Sequence, residues 1–214
     1  MGASRLPNKM MLHLHGYPLI EWVRRRVSKS KLIQKLVFAL PDKKEDNILD
    51  YCLTANNAYT FRGSEKNVLE RFYQAATQFD ATHIVRVCAD NPLIYHEEID
   101  RLIEFYLTNP CDYAYNHIPK NNQYPDGLGA EIVSYQTLKM IYENAKLDSQ
   151  KEHIFNFIRD NEKDFEIKTF DPMEEELKRP DIKLDVDTFE DYEKMIRMNL
   201  YIDITPLEII KLYR

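Results

Sequence analysis

Apolar positions in this chain follow two rhythms that take turns along its length. Leu19, Ile20, Val23 and Val27 recur at helical spacing opposite Arg24, Arg25 and Lys29, which predicts a helix over 18–29. A short apolar run over 35–40, closed by Pro41, predicts a strand, and Asp42 with Glu45 has the capping-box spacing that opens a helix. The same order of strand, turn and helix recurs: a strand over 58–61 with a helix over 65–78, then a strand over 83–88 with a helix over 96–107. Further strands are expected over 112–116, 131–135, 166–170 and 182–186, with helices over 136–146, 150–161, 189–200 and 206–213.

Alternation of this kind predicts an α/β sheet with helices on both faces, in which ligands sit beyond the carboxyl ends of the strands. The turn motifs fall where that rule wants them. Arg62-Gly63-Ser64 follows the second strand, Asp90-Asn91-Pro92 the third and Asp187-Thr188 the last. Of the five glycines, Gly2, Gly63, Gly127 and Gly129 fall in turn motifs, and Gly16 marks a turn before Tyr17-Pro18. With no internal repeat, low-complexity tract or linker, 214 residues read as a single domain.

Charge narrows the function. A net charge of -6, with no Lys/Arg-rich block, argues against a nucleic-acid or membrane surface and leaves a small-molecule enzyme. The chain has no apolar run of membrane-spanning length and no charged-then-apolar leader, so cytoplasmic residence is the default expectation. Cys52, Cys88 and Cys111 are an odd set without metal-knuckle spacing and read as buried thiols.

The candidate chemistry starts at the amino terminus. Gly2, Ala3 and Ser4 are small enough for backbone N–H groups to approach an anion, and Arg5 and Lys9 add a forked and a point cation; this is either a phosphate nest or an ordinary loop. Asp90 either offers a carboxylate to a metal or caps the loop before the next helix. Over 182–187 a period of two puts Lys183, Asp185 and Asp187 on one face and Ile182, Leu184 and Val186 on the other. Asp90 and Asp187, two carboxylates from distant strand tips, suit Mg²⁺ with phosphates completing its shell. Thr188 with Asp191 looks like a helix cap. Arg86, inside an apolar strand, must either pair with a carboxylate or reach the ligand. Ser149 to Glu152 has capping-box spacing, which makes Glu152 structural, and His153 is either packed or functional. Tyr124-Pro125-Asp126-Gly127 is a turn placed to serve as a substrate loop.

Six ordered stretches, MGASRLPNK, FRGSEKNVLERF, VRVCADNPLI, YPDGLGAEI, SQKEHIFNFIR and KLDVDTFEDYE, resemble the sugar-acid cytidylyltransferases, the first being similar to their G-S-S-R-L-P-G-K loop. The order is that of the spore-coat polysaccharide biosynthesis protein F branch, among relatives that make CMP-N-acetylneuraminate and CMP-Kdo. The resemblance implies a three-layer α/β/α Rossmann-like fold of GT-A type with a mixed, mainly parallel sheet, frequently dimeric. It implies Mg²⁺-dependent transfer of CMP from CTP to a sugar acid, with release of pyrophosphate. Carried over, Arg5 and Lys9 match triphosphate-binding cations, Asp90 and Asp187 the metal carboxylates, and Arg62, Gly63 and Ser64 the base-holding turn. Arg86 falls on the nucleotide side, and Asp126, Gly127, Glu131 and His153 on the substrate side.

Departures from the family pattern are Ala3 and Asn8 in the first loop, Asp185 where Thr is common, and Gly129 where an acidic residue often sits. The family also begins with an apolar strand before the loop. Its first strand is therefore expected to be missing from this sequence, so that the coding sequence extends upstream, another segment fills the gap, or the loop is displaced. Two other classes stay open: another nucleotidyltransferase or glycosyltransferase on this architecture, or a non-catalytic relative acting as an assembly partner.

Overall fold

A computed structural model describes residues 5–213, so Gly2, Ala3 and Ser4 lie outside the described residues. The first regular structure is a hairpin of β1 (His13–Leu14) and β2 (Tyr17–Pro18). Its two-residue turn needs the left-handed region twice, at His15 (φ 45°) and Gly16 (φ 93°), which is why glycine stands there. The hairpin leads directly into α1 (Leu19–Val27), whose Trp22 is fully buried and donates its indole N–H to the Leu14 carbonyl at 2.6 Å.

Arg26 on the same helix is also buried. It is satisfied by backbone carbonyls of Leu93, Ile94, Ile202 and Ile204, so one guanidinium ties α1 to two distant loops. Burial pulls its pKa down to about 10, still far above neutrality.

The alternation expected from sequence follows. In chain order come β3 (Val37–Pro41), α2 (Asn47–Ala55), β4 (Tyr59–Gly63), α3 (Val68–Gln78), β5 (His83–Arg86) and α4 (His96–Thr108). Then come β6 (Tyr113–Tyr115), β7 (Glu131–Ser134), α5 (Tyr135–Asn144), α6 (Asp148–Glu152), α7 (Asn156–Asp160), β8 (Ile167–Thr169), α8 (Phe189–Arg197) and α9 (Pro206–Leu212). This is a mixed α/β fold with an open sheet. Strands β3 and β4 pair in parallel, and β5-β7-β6-β8 form a second sheet in which only β7 runs against its neighbours.

Two helices span both sheets. Ile20 of α1 packs with Phe38 and Leu40 of β3, while Val23 and Val27 pack in the cluster that holds Val85 and Ile132. On the other face, α3 lies on β3 and β4 while Leu69 and Ala76 pack with Ile84, Tyr113 and Val133. Strands β3 and β5 share no ladder among the described residues.

Four expectations are corrected. The segment over 182–186 forms no named strand, only an isolated bridge from Asp126 to Lys183. The helix expected over 150–161 breaks at His153, whose extended backbone separates α6 from α7. Ser149 lies inside α6 and does not open it. Gln150 instead reaches back to accept from the N–H groups of Lys146 and Leu147. Asp42 does not cap α2 either: its N–H bonds to the Gly63 carbonyl, and a 3₁₀ turn over Lys44–Asp46 comes first. The Thr188–Asp191 capping box is present in both directions.

Candidate active site

The site is built where three chain segments are tied together without a strand. Asp126 N–H donates to Ile182 O, Leu184 N–H to Asp126 O, and Val186 N–H to Asp90 O, all at 2.8–2.9 Å. Leu184 and Val186 are fully buried, and each contributes about 1.5–3 kcal/mol by leaving water. The period-two pattern holds even though the ladder does not. With Ile182, Leu184 and Val186 fixed in the core, Asp185 and Asp187 face the other way, beside Asp90 and Asp126.

The first loop closes over this group from the other side. Leu6 packs into the cluster of Leu14, Trp22 and Leu184, and Met10 and Met11 pack against the cluster of Ile20, Phe38 and Leu40. Asn8 adopts the left-handed conformation (φ 59°) that glycine adopts freely and asparagine tolerates, so the replacement of the family glycine keeps the turn.

Lys9 is then delivered to a point between two carboxylates. Its Nζ lies 2.9 Å from Asp90 Oδ2, 3.2 Å from Asp187 Oδ1 and 3.0 Å from the Val186 carbonyl. Arg5 reaches the other oxygen of Asp187 at 2.9 Å. Four sequence-predicted residues, Arg5, Lys9, Asp90 and Asp187, therefore meet. Asp90 does not cap α4, which opens at Tyr95 without a side-chain cap.

Charge is unevenly spread here. Burial pushes the Asp126 carboxyl up to about 6, helped by the negative charges of Asp185, Asp90 and Asp187. Asp185 is also raised, by burial first and then by Asp187. Burial works against ionisation of Asp187 too, yet the Lys9 hydrogen bond and the charges of Lys9, Arg5 and Lys183 outweigh it and hold this carboxyl below the usual range. Among the described residues no set of three His, Cys, Asp or Glu side chains is arranged to hold a metal. The donors fit Mg²⁺ in the other way open to it: two carboxylates converge on one cation position, taken by the Lys9 ammonium, and a phosphate-bound Mg²⁺ needs no more than that from protein.

The remaining sequence-predicted residues have surroundings of their own. Arg62-Gly63-Ser64 ends β4, with Arg62 held on Lys43 O, Asn47 and Asp50, and Ser64 bonded to Asn67 and Arg71. A Cβ on Gly63 would press on the Phe61 ring and Arg71 at 2.9–3.0 Å. Gly127 has a positive φ (88°) and donates to the His117 carbonyl. Gly129 admits no side chain: a Cβ would collide with the Asn116 carboxamide and carbonyl oxygens. Asn116 is fully buried and bonded to Glu98 O and Ala130 N–H, so it fills the space an acidic residue would need. His153 is exposed at the break between α6 and α7, with no side-chain bond to the Lys9 group among the described residues.

Arg86 pairs directly with Glu131, its register partner across β5 and β7. Sequence reading missed the rest of that group. Arg159 reaches Glu131 Oε1 at 2.8 Å, Tyr113 donates its hydroxyl to the same oxygen, and His117 Nε2 lies 3.6 Å from it. Glu131 is buried, which disfavours its charge, but His117 once its ring is protonated, the charges of Arg86 and Arg159 and the Tyr113 hydroxyl together hold it down to about 2. Arg159 and His117 carry no local signal; only the pairing of β5, β6 and β7 brings them to Glu131.

A cytidylyltransferase family profile matches residues 1–211. The chain belongs to the cytidylyltransferase family. It is a nucleotidyltransferase, and its relatives agree with the branch that the ordered motifs resemble. Spore coat polysaccharide biosynthesis protein SpsF of Bacillus subtilis (strain 168) is 32% identical over 200 residues, covering 91% of this chain and 81% of that protein. A 3-deoxy-manno-octulosonate cytidylyltransferase of Pelodictyon phaeoclathratiforme is 34% identical over 113 residues, covering 52% of this chain and 45% of that one. A cytidylyltransferase structure from Leptospira borgpetersenii serovar Hardjo-bovis superposes with a TM-score of 0.88 at 25% identity, covering 99% of this chain and 89% of that one. No helix among the described residues of this cytidylyltransferase is long and apolar enough to cross a membrane.

Proposed function

We propose that this cytidylyltransferase transfers CMP from CTP to a sugar acid in the biosynthesis of a polysaccharide, releasing pyrophosphate. The observation that carries the reading is the meeting of Asp90 and Asp187 on the Lys9 ammonium, beside the Arg5 guanidinium. A triphosphate brings a dense negative charge, and two cations next to two carboxylates provide for both it and its counterion. In the reaction a sugar hydroxyl attacks the α-phosphorus of CTP in line, and the α–β phosphate bond breaks as pyrophosphate leaves.

Asp90 and Asp187 would hold Mg²⁺. The ion, when bound, neutralises phosphate oxygens as their charge shifts toward the leaving group. Lys9 must give up its place between the carboxylates, and its nearest new partner is a phosphate oxygen. Arg5, exposed and forked, takes the pyrophosphate from outside. The Arg62-Gly63-Ser64 turn takes the cytosine edge. The Asp126-Gly127 turn faces the acceptor.

A thermal-shift panel of CTP, UTP, GTP and ATP with Mg²⁺ tests the nucleotide assignment. CTP should raise the melting temperature most, and loss of Mg²⁺ should remove most of the shift. An equal response to ATP and CTP would remove the base-reading role of the turn at Arg62.

A further inference from the structure

The Glu131 group has more cation than its carboxylate can use. Two guanidiniums share one carboxylate, and each does so through a single nitrogen: Arg86 through NH1 and Arg159 through NH2. Among the described residues the Nε and NH2 of Arg86 and the Nε and NH1 of Arg159 have no hydrogen-bond partner. Both side chains keep an open surface, 25% and 34% exposed, over a glutamate that is sealed.

His117 adds a third unmet need. Its Nε2 faces the Glu131 carboxylate, and such a neighbour is best met by a ring nitrogen that carries its proton. That leaves Nδ1 with a lone pair, and Nδ1 is buried without a partner. Burial, reinforced by the two arginines, lowers the pKa of His117 despite Glu131, so the ring is neutral at pH 7.

The group stands at the carboxyl end of β5, the side of an α/β sheet where ligands collect. Four residues further along the same chain is Asp90. Cys88 between them feels the charges of Arg86 and Glu131 as well as those of Asp90 and Asp126, so the two groups border one another.

We propose that Arg159 and Arg86, seated on Glu131, bind the carboxylate of the acceptor sugar. The proposal rests on the sugar-acid reading above and moves Arg86 from the nucleotide side to the acceptor side. Glu131 is a positioning residue: its two oxygens fix both forks. The two guanidiniums less one glutamate leave one net positive charge, which a single carboxylate cancels.

The test uses the full chain with CTP and Mg²⁺, Arg159→Gln, Arg159→Lys and Arg86→Gln, and two acceptors: 3-deoxy-manno-octulosonate or another 2-keto sugar acid, and the same sugar with its carboxylate converted to a carboxamide. Each Gln variant leaves Glu131 one arginine, and melting temperature checks the fold. Binding is read by calorimetry as well as by turnover. Arg159→Gln should raise KM and Kd for the acid about 10- to 100-fold, with KM for CTP within twofold, and Arg159→Lys should restore part of the loss. With the carboxamide the same substitution should cost less than threefold. Equal losses for acid and carboxamide would overturn the proposal, because a purely structural role predicts them. So would wild-type protein that binds CTP but no sugar acid. A failure to respond to CTP at all would sink it for a different reason, by removing the nucleotide assignment beneath it.

Discussion

Two groups of charges sit side by side in this protein and are built in opposite ways. Around Lys9, the carboxylates of Asp90, Asp126, Asp185 and Asp187 outnumber nearby cations, the carboxylates at its centre are part-exposed, and the cations are long side chains. Around Glu131, cations outnumber the one carboxylate, which is sealed and fixed by four partners. An open excess of carboxylate suits a metal and its phosphates, whereas a buried anchor with spare forks suits an anion and at the same time holds the fold. The first group should therefore answer to mutation through turnover, and the second through stability and acceptor affinity.

The largest effect tests the open group. Asp90→Asn and Asp187→Asn should each lower turnover about 10²-fold or more while the melting temperature stays within a few degrees. Steady-state kinetics beside a melting curve decides it, and a variant that keeps near-normal turnover would break the comparison.

Glu131→Gln should do the reverse. It leaves two arginines facing a neutral group in a dry setting, a loss of about 3–5 kcal/mol when a buried ion pair loses one partner. Chemical denaturation should register it, and an unchanged midpoint would show that Glu131 is not the anchor described.

A smaller effect concerns Lys9, which holds the place between the two carboxylates. Lys9→Met should lower turnover about tenfold through lost phosphate contact. It should also tighten Mg²⁺ binding in the absence of nucleotide, since two carboxylates lose their internal cation. Calorimetry reads the second consequence, which simple damage to the site would not produce.

The smallest effect is in pH dependence. Asp126, raised to about 6 from an unfolded value of 3.8, binds more protons folded than unfolded between those values. Stability therefore falls as pH rises from about 4 to 6, and the penalty is fully present above 6. Asp126→Asn should raise the melting temperature at pH 7 by more than at pH 4.5 and flatten the profile between them. Equal shifts at both values would show that the carboxyl does not titrate there.

The open group was legible in the sequence because its parts are local. Small and basic residues mark the first loop, Asp90 precedes Asn-Pro, and the alternation over 182–187 survives even though hydrogen bonds to Asp126 and Asp90 replace a sheet ladder. Asn8 shows how a departure in sequence is none in shape, since its left-handed backbone is what the family glycine supplies. Gly129 is the converse, a departure enforced by the buried Asn116. The sealed group was only half legible: Arg86 announced a need for a carboxylate, but its partner follows from strand register, and Arg159 and His117 arrive from α7 and the loop after β6. The break at His153 was hidden for the same reason, since both halves of 150–161 keep helical spacing and only tertiary packing divides them.

The central claim is that the Lys9 group is where CMP is joined to a sugar acid. Phosphorus NMR of the protein with CTP, Mg²⁺ and a panel of 2-keto sugar acids tests it most directly. The account predicts a new phosphodiester resonance from a CMP-sugar, with pyrophosphate in equal amount, both absent with Asp187→Asn. Pyrophosphate release that does not depend on the acceptor, product formation from UTP in place of CTP, or an undiminished phosphodiester signal from Asp187→Asn would contradict it.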